Sequence, residues 1–252
     1  MGKKKKTPFL IDESIVVKES PFEDEVMAPR RKKVHYKVRL KCKNQKQKEY
    51  AKMIEEKEIV FATGSAGTGK SYIALSKALE FLSEDRFEKI IYIVPTCEAG
   101  SKRLSIGHLP GDFSAKTDPY ITMVKENCEK ILKNSNNLNE KKITQNLFEN
   151  CQIEIRIMNF TRGSTFDNSF IIIDEAENFD TQEMLLLLTR IGESSKMCIM
   201  GDLKQSDRSL GDKNGLKHAL SKLSHIEAID SIEFNDDDIV RNQLIKEILY
   251  NW

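Results

Sequence analysis

The chain has 252 residues, 39% of them hydrophobic, and its 40 basic and 39 acidic side chains leave a formal net charge of +1. That length suffices for one α/β domain with a full core and an appendage but not for two such domains, and the balanced charge excludes a globally basic nucleic-acid binder. Five cysteines, widely spread and without a C-x-x-C pair, argue against a disulfide framework or a zinc site and for a reducing cytoplasm; no run approaches the ~18 apolar residues of a membrane span.

Residues 1–33 carry the basic runs Lys3–Lys6 and Arg30–Lys33 together with Pro8, Pro21 and Pro29, and have little periodicity. They read as a short basic N-terminal arm, either a solvated tail or a nucleic-acid contact, ahead of a domain over 34–252. From Val34 the chain alternates: Val34, Tyr36, Val38, Leu40 and Cys42 are apolar, with His35, Lys37, Arg39 and Lys41 between them. This predicts a half-exposed strand with a basic outer face. A helix is expected over 44–56, and its opening Asn44-Gln45 either offers an amide that reads adenine or caps the helix through Asn44.

The apolar run 59–63 then leads into Gly64-Ser65-Ala66-Gly67-Thr68-Gly69-Lys70-Ser71, which fits G-x-x-x-x-G-K-[ST] and is followed by helical spacing over 72–82. Strand, glycine-rich loop and helix are the context a phosphate-binding loop needs. Its glycines let backbone N–H groups close around phosphate oxygens at the positive end of the helix. Lys70 is placed to reach the β- and γ-phosphates and Ser71 to hold Mg²⁺. A second apolar run over 90–94 ends at Pro95 and completes a βαβ unit. The segment 96–112, with Gly100, Lys102, Arg103, Gly107, His108 and Gly111, reads as a long loop. Helices follow over 119–133 and 140–150, and Ile153, Ile155 and Ile157 alternate as a strand.

Ile171-Ile172-Ile173-Asp174-Glu175 is an apolar strand closed by two acids. The first carboxylate, Asp174, can hold the Mg²⁺ shell and the second, Glu175, can orient and deprotonate the attacking water. After a helix over 181–191, Met197–Met200 form a strand ending at Gly201-Asp202, and Gln205 just beyond it is placed to sense the γ-phosphate. Helix (215–223), strand (226–234) and helix (238–250) close the chain. Arg162, Arg190, Arg208 and Arg241 are the candidates for the cation that stabilises charge on the γ-phosphate. Cys151 and Cys198 fall at apolar strand positions and are expected as core filler. Apolar strands alternating with helices describe one doubly wound, mostly parallel sheet with helices on both faces, its unusual residues gathered at the carboxyl ends of the strands.

With these residues in view the chain resembles the PhoH family, whose core is similar to the first RecA-like domain of superfamily 1 helicases. The resemblance runs through Asn44-Gln45, GSAGTGKS, PTCEAG with His108-Leu109-Pro110-Gly111-Asp112, FTRGSTFDNSFIIIDEAEN, LLTRIG, SKMCIMGDLKQSD and Asp238-Ile239-Val240-Arg241. It implies a single RecA-like P-loop NTPase domain that binds and hydrolyses ATP with Mg²⁺, associates with or unwinds RNA or another single-stranded nucleic acid, and assembles as a homo-oligomeric ring, a hexamer being favoured. It places Gln45 near adenine, Gly69, Lys70 and Ser71 at the phosphates, Asp174 and Glu175 at Mg²⁺ and water, and Gln205 at the γ-phosphate; Arg241 in the last block is the favoured finger. A nucleotide-gated nucleic-acid-binding or assembly protein with little turnover is the alternative. The chain departs from the family pattern at Val94, where the family has Arg, at Ser164, where it often has a second Arg, and at Glu177, where it has Gln. The 43 residues ahead of the core are too few for a PIN nuclease domain, so ribonuclease activity is not expected.

Overall fold

Strands buried on both faces read as unbroken apolar runs, and four such runs in this chain become the centre of its sheet. The computed structural model describes residues 34–95, 113–205 and 213–240. The arm 1–33, the loop 96–112 with His108, Arg208 and the chain from Arg241 onward lie outside those residues, and with them most of the helix expected over 238–250, whose described start is a 3-10 turn at Asp236–Asp238 followed by extended Ile239. In order the elements are α1 (Gln45–Glu56), β1 (Ile59–Gly64), α2 (Lys70–Ser83), β2 (Lys89–Val94), α3 (Phe113–Asn134), α4 (Glu140–Glu149), β3 (Ile153–Ile157), β4 (Ser169–Ile173), α5 (Thr181–Leu188), β5 (Lys196–Gly201), α6 (Gly215–Leu223) and β6 (Ile229–Phe234).

The six strands form one sheet in the order β3-β2-β4-β5-β1-β6, and every neighbouring pair is parallel. Successive side chains go to opposite faces, and the two cores divide accordingly. Val60, Ala62, Ile90, Tyr92, Phe170, Ile172, Cys198 and Met200 pack with Tyr50 and Ile54 of α1 and with α2, α3 and α4. Phe61, Ile91, Ile93, Ile171, Ile173, Met197 and Ile199 pack with Met184 and Leu187 of α5 and Leu216 and Ala219 of α6. The sheet is therefore doubly wound, as the alternation of elements predicts. Burial of side chains such as Ile172 and Phe170, both fully enclosed, contributes on the order of 1.5–3 kcal/mol each.

Local chemistry sets the helix boundaries. Asn44 caps α1 by accepting from Gln47 N at 2.8 Å, and Asp180 and Glu183 close a reciprocal capping box at the start of α5. Helix α3 runs back through Pro119 to Phe113, earlier than its periodicity suggests. Helix α5 stops at Leu188, short of the expected Ile191.

Two expectations are overturned. Residues 34–42 keep their alternation, apolar side chains half-buried and polar ones exposed, yet they belong to no strand of the sheet. The apolar side chains pack onto the α-helical layer, and the backbone finds side-chain partners in place of a ladder. Period-two burial records which face is covered, not what covers it. Cys198 is core filler, its thiol pushed up to about 12 by burial, but Cys151 is exposed in a left-handed turn (φ 53°) between α4 and β3.

Candidate nucleotide site

All six strands point their carboxyl ends the same way, so the residues following β1, β4, β5 and β6 converge at one edge. The loop after β1 is held from behind through its carbonyls. Thr68 O accepts from Gln47 Nε2 at 2.8 Å, Gly67 O from Val240 N at 3.1 Å, and Gly64 O and Ser65 O from Lys70 Nζ at 2.5 and 2.9 Å. With those carbonyls engaged, the loop's amides and the N-terminal end of α2 are the polar surface left for an anion. Gly64 is obligatory in this arrangement. Its φ is +117°, and a Cβ there would lie 1.9 Å from Phe234 O at the end of β6. Gly69, at φ +93°, would bring a Cβ to 2.7 Å from Gln47 Nε2 and break the same brace.

Lys70 is buried, which pushes its ammonium below the usual lysine range, while the carboxylates of Asp202, Asp174 and Glu177 favour its charged form. Ser71 Oγ, at the start of α2, donates to Asp174 Oδ2 at 3.0 Å across 103 residues of sequence. Asp174 leaves the fully buried strand β4 with its own N–H donating to Ile93 O at 3.1 Å, and its Oδ1 accepts from Glu175 N at 3.0 Å. The Tyr92 hydroxyl also donates to Asp174 Oδ2. Burial, reinforced by the Asp174 charge, raises Tyr92 well above the usual phenol range, so it stays a neutral donor.

Glu175 is exposed and held in the left-handed region (φ 54°, ψ 39°) at the head of the 3-10 turn Ala176–Asn178. A side chain in that region costs roughly 1–2 kcal/mol, a strain stored at the residue that follows Asp174 at the strand end. Within the same turn Glu177 is buried, and its Oε2 accepts from Asp202 N at 3.0 Å. Burial pushes Glu177 up to about 7, and the nearby charges of Glu175 and Asp174 act in the same direction. Asp202 O accepts from Gln205 N at 2.9 Å, so the Gln205 loop turns on the residue whose N–H Glu177 holds. Ser65 Oγ donates to Asp236 Oδ1 at 2.5 Å, and Lys204 Nζ lies 3.9 Å from Asp236 Oδ2.

The structure thus brings together Gly64 to Ser71, Asp174 and Glu175, with Gln205 at the same edge. Gln45 is exposed and its amide donates to Glu49 at 3.4 Å; the glutamine that touches the loop is Gln47. Asn44 both caps α1 and donates to Asp238 O at 3.2 Å. Arg162 is exposed after β3, whereas Arg190 is committed to the Leu186 and Ser164 carbonyls. Sequence reasoning did not single out Gln47, Tyr92 or Asp236. Gln47 stands on the apolar face of α1 at the spacing of Tyr50 and Ile54, and a polar residue in that stripe was the available signal.

A hydroxyl and a carboxylate joined at 3.0 Å form a hard-oxygen pair suited to Mg²⁺, which takes one or two protein oxygens and fills its octahedron with phosphate and water. The described residues contain no group of three or more His, Cys, Asp or Glu able to hold a metal by themselves. No helix among them is long and apolar enough to cross a membrane.

The family described as PhoH-like protein matches residues 39–251. A PhoH-like protein of Bacillus subtilis is 36% identical over 231 residues, covering 92% of this chain and 68% of that protein. A PhoH-like protein of Mycobacterium leprae is 35% identical over 212 residues (84% and 57%), and Protein PhoH of Escherichia coli is 32% identical over 215 residues (83% and 57%). The chain therefore spans less than two thirds of the length of the latter two relatives. Among solved structures, the Hef helicase domain of Pyrococcus furiosus is similar at a TM-score of 0.45 and 14% identity over 77% of this chain and 38% of that one.

Proposed function

The chain belongs to the PhoH-like protein family, and from that premise we propose that it is a Mg²⁺-dependent ATPase acting on single-stranded RNA as a ring of identical subunits. The observation that carries the reading is the 3.0 Å bond from Ser71 of the glycine-rich loop to Asp174 of the strand end. Two motifs far apart in sequence meet there as a phosphate site and a cation site. Lys70, now bound to the loop's own carbonyls, turns to the β- and γ-phosphate oxygens when they arrive. Ser71 and Asp174 would hold Mg²⁺, which would supply neutralisation of phosphate charge. Glu175, the exposed carboxylate after Asp174, is proposed to take the proton of the attacking water. Gln205 is proposed to contact the γ-phosphate; Gln45, proposed as the adenine reader, would have to leave Glu49 to do so.

Lys70→Ala is expected to weaken MgATP binding by roughly 10–100-fold and to abolish hydrolysis. Glu175→Gln should bind MgATP as the wild type does while turnover falls by roughly 10²–10⁴-fold. Titration with a fluorescent ATP analogue and phosphate release, each with and without oligouridylate, measure both. Unchanged hydrolysis in Lys70→Ala would overturn the site. Wild-type binding without turnover would move the protein to the nucleotide-gated reading, which the presence of Glu175 disfavours.

A further inference from the structure

We infer that residues 35–43 form a preorganised track for the phosphate backbone of a single-stranded nucleic acid, joined at one end to the nucleotide loop. The inference rests on the RNA reading above and gives that partner a surface.

From Val34 to Lys43 every second side chain is exposed, and each exposed one is His35, Lys37, Arg39, Lys41 or Lys43. The intervening Val34, Tyr36, Val38, Leu40 and Cys42 pack against the core. A shift by one residue would bury every charge and expose every apolar group, so the basic face cannot rotate inward. The backbone is fixed as well. Lys37 N donates to Asn137 Oδ1 at 3.2 Å and Lys37 O accepts from Asn137 Nδ2 at 2.8 Å, while Arg39 N donates to Ser135 Oγ at 2.9 Å and the Tyr36 hydroxyl to Leu79 O at 3.0 Å. None of Lys37, Arg39, Lys41 and Lys43 has an acidic partner among the described residues. Four permanent charges therefore stand in a single file.

In an extended chain alternate side chains recur about 6.5–7 Å apart, a spacing that an unstacked sugar–phosphate backbone can follow one phosphate at a time. A file one residue wide suits a linear polyanion better than a flat anionic surface. It also lacks the exposed apolar side chains by which a membrane-binding segment inserts. At its far end Lys43 N donates to Gln47 Oε1 at 2.7 Å, and Gln47 Nε2 reaches Thr68 O in the phosphate loop. One buried side chain thus touches both the track and the loop.

The test compares the full chain with its Lys37→Gln, Arg39→Gln, Lys41→Gln, Lys43→Gln variant. Fluorescence anisotropy with an oligouridylate of about 15 nucleotides, within the reach of such grooves, is read over a salt series. Each single-strand phosphate contact contributes about 0.7 to the slope of log K against log salt, so removing four should flatten the slope by about 3 and weaken binding at least tenfold near 0.1 M salt. Each single substitution should flatten it by about 0.7, which keeps the inference falsifiable should the quadruple variant fold poorly. A quadruple variant with wild-type slope and affinity overturns the track. Equal loss of binding to anionic phosphatidylserine vesicles and to oligouridylate also overturns it, in favour of a general anion surface. Absence of wild-type binding even at low salt sinks the RNA reading itself, a result distinguishable from failure of the track alone.

Discussion

Glu177 carries an unusual load for one carboxyl group. It is buried beside Asp174 and Glu175, and it holds the peptide of Asp202 from which the Gln205 loop begins. Its titration moves from 4.5 in an open chain to about 7 in the fold, with burial the largest cause. Between those values the folded protein binds the extra proton, so stability falls as pH rises through that window, and the penalty is complete above it. A displacement of that size corresponds to roughly 3–3.5 kcal/mol. Glu177→Gln preserves the shape and the acceptor for Asp202 N but removes the charge. It is expected to raise the melting temperature by roughly 6–14 °C at pH 8 and to leave it nearly unchanged near pH 4.5, measured by calorimetry at both. An equal gain at both pH values would assign the effect to packing instead of charge. Tyr92 works on the neighbouring carboxylate, its hydroxyl donating to Asp174 Oδ2 and fixing the orientation of that group.

At the scale of elements, α1 is the strut that sets the phosphate loop. Gln47 sits in its apolar face, and its amide bonds Thr68 O and accepts from Lys43 N, so the helix braces the loop through one side chain. Gln47→Glu keeps the acceptor, loses the donor and places a negative charge behind the loop. It should raise the dissociation constant for MgADP roughly tenfold or more, about 1.5 kcal/mol, while Gln47→Ala should lose a similar amount through two unpaired groups. Isothermal titration distinguishes these; wild-type affinity in Gln47→Glu would show that the brace is dispensable. This element also marks how far the sequence could be read. The central strands were legible because burial on both faces demands continuous apolar runs, and the loop because only glycines fit Gly64 against Phe234. Asp174 and Glu175 were legible because they end a strand of that kind. Gln47, Tyr92 and Glu177 were not, since their roles come from partners 21, 82 and 25 residues away. Segment 34–42 shows the same limit, because its alternation revealed the covered face while its partners, Ser135 and Asn137, lie about a hundred residues on.

For the whole molecule the question is what closes the open side of the site. Of the described arginines, Arg86 pairs with Glu55, Arg156 with Glu154, Arg190 holds carbonyls, Arg39 lies on the basic file and Arg162 is exposed after β3. Among the described residues no arginine bonds the phosphate loop or Asp174. Arg241, which follows the residue whose N–H bonds Gly67 O of the same chain, is proposed to supply the cation for the γ-phosphate; in a ring it would serve the next copy's site. Arg241→Ala should then lower turnover by about 10³-fold with little change in ATP affinity. Lys70→Ala, which keeps its own Arg241, should be inactive for a different reason. Mixed in equal amounts and allowed to exchange subunits, the two dead variants should regain about a quarter of the wild-type sites, because each active site needs an intact Lys70 facing an intact Arg241 from its neighbour. Phosphate release from the mixture, alongside sedimentation to follow assembly, decides the matter. A mixture that assembles and stays inactive would place the arginine within the same chain as the loop it serves, and the ring would then be irrelevant to the chemistry.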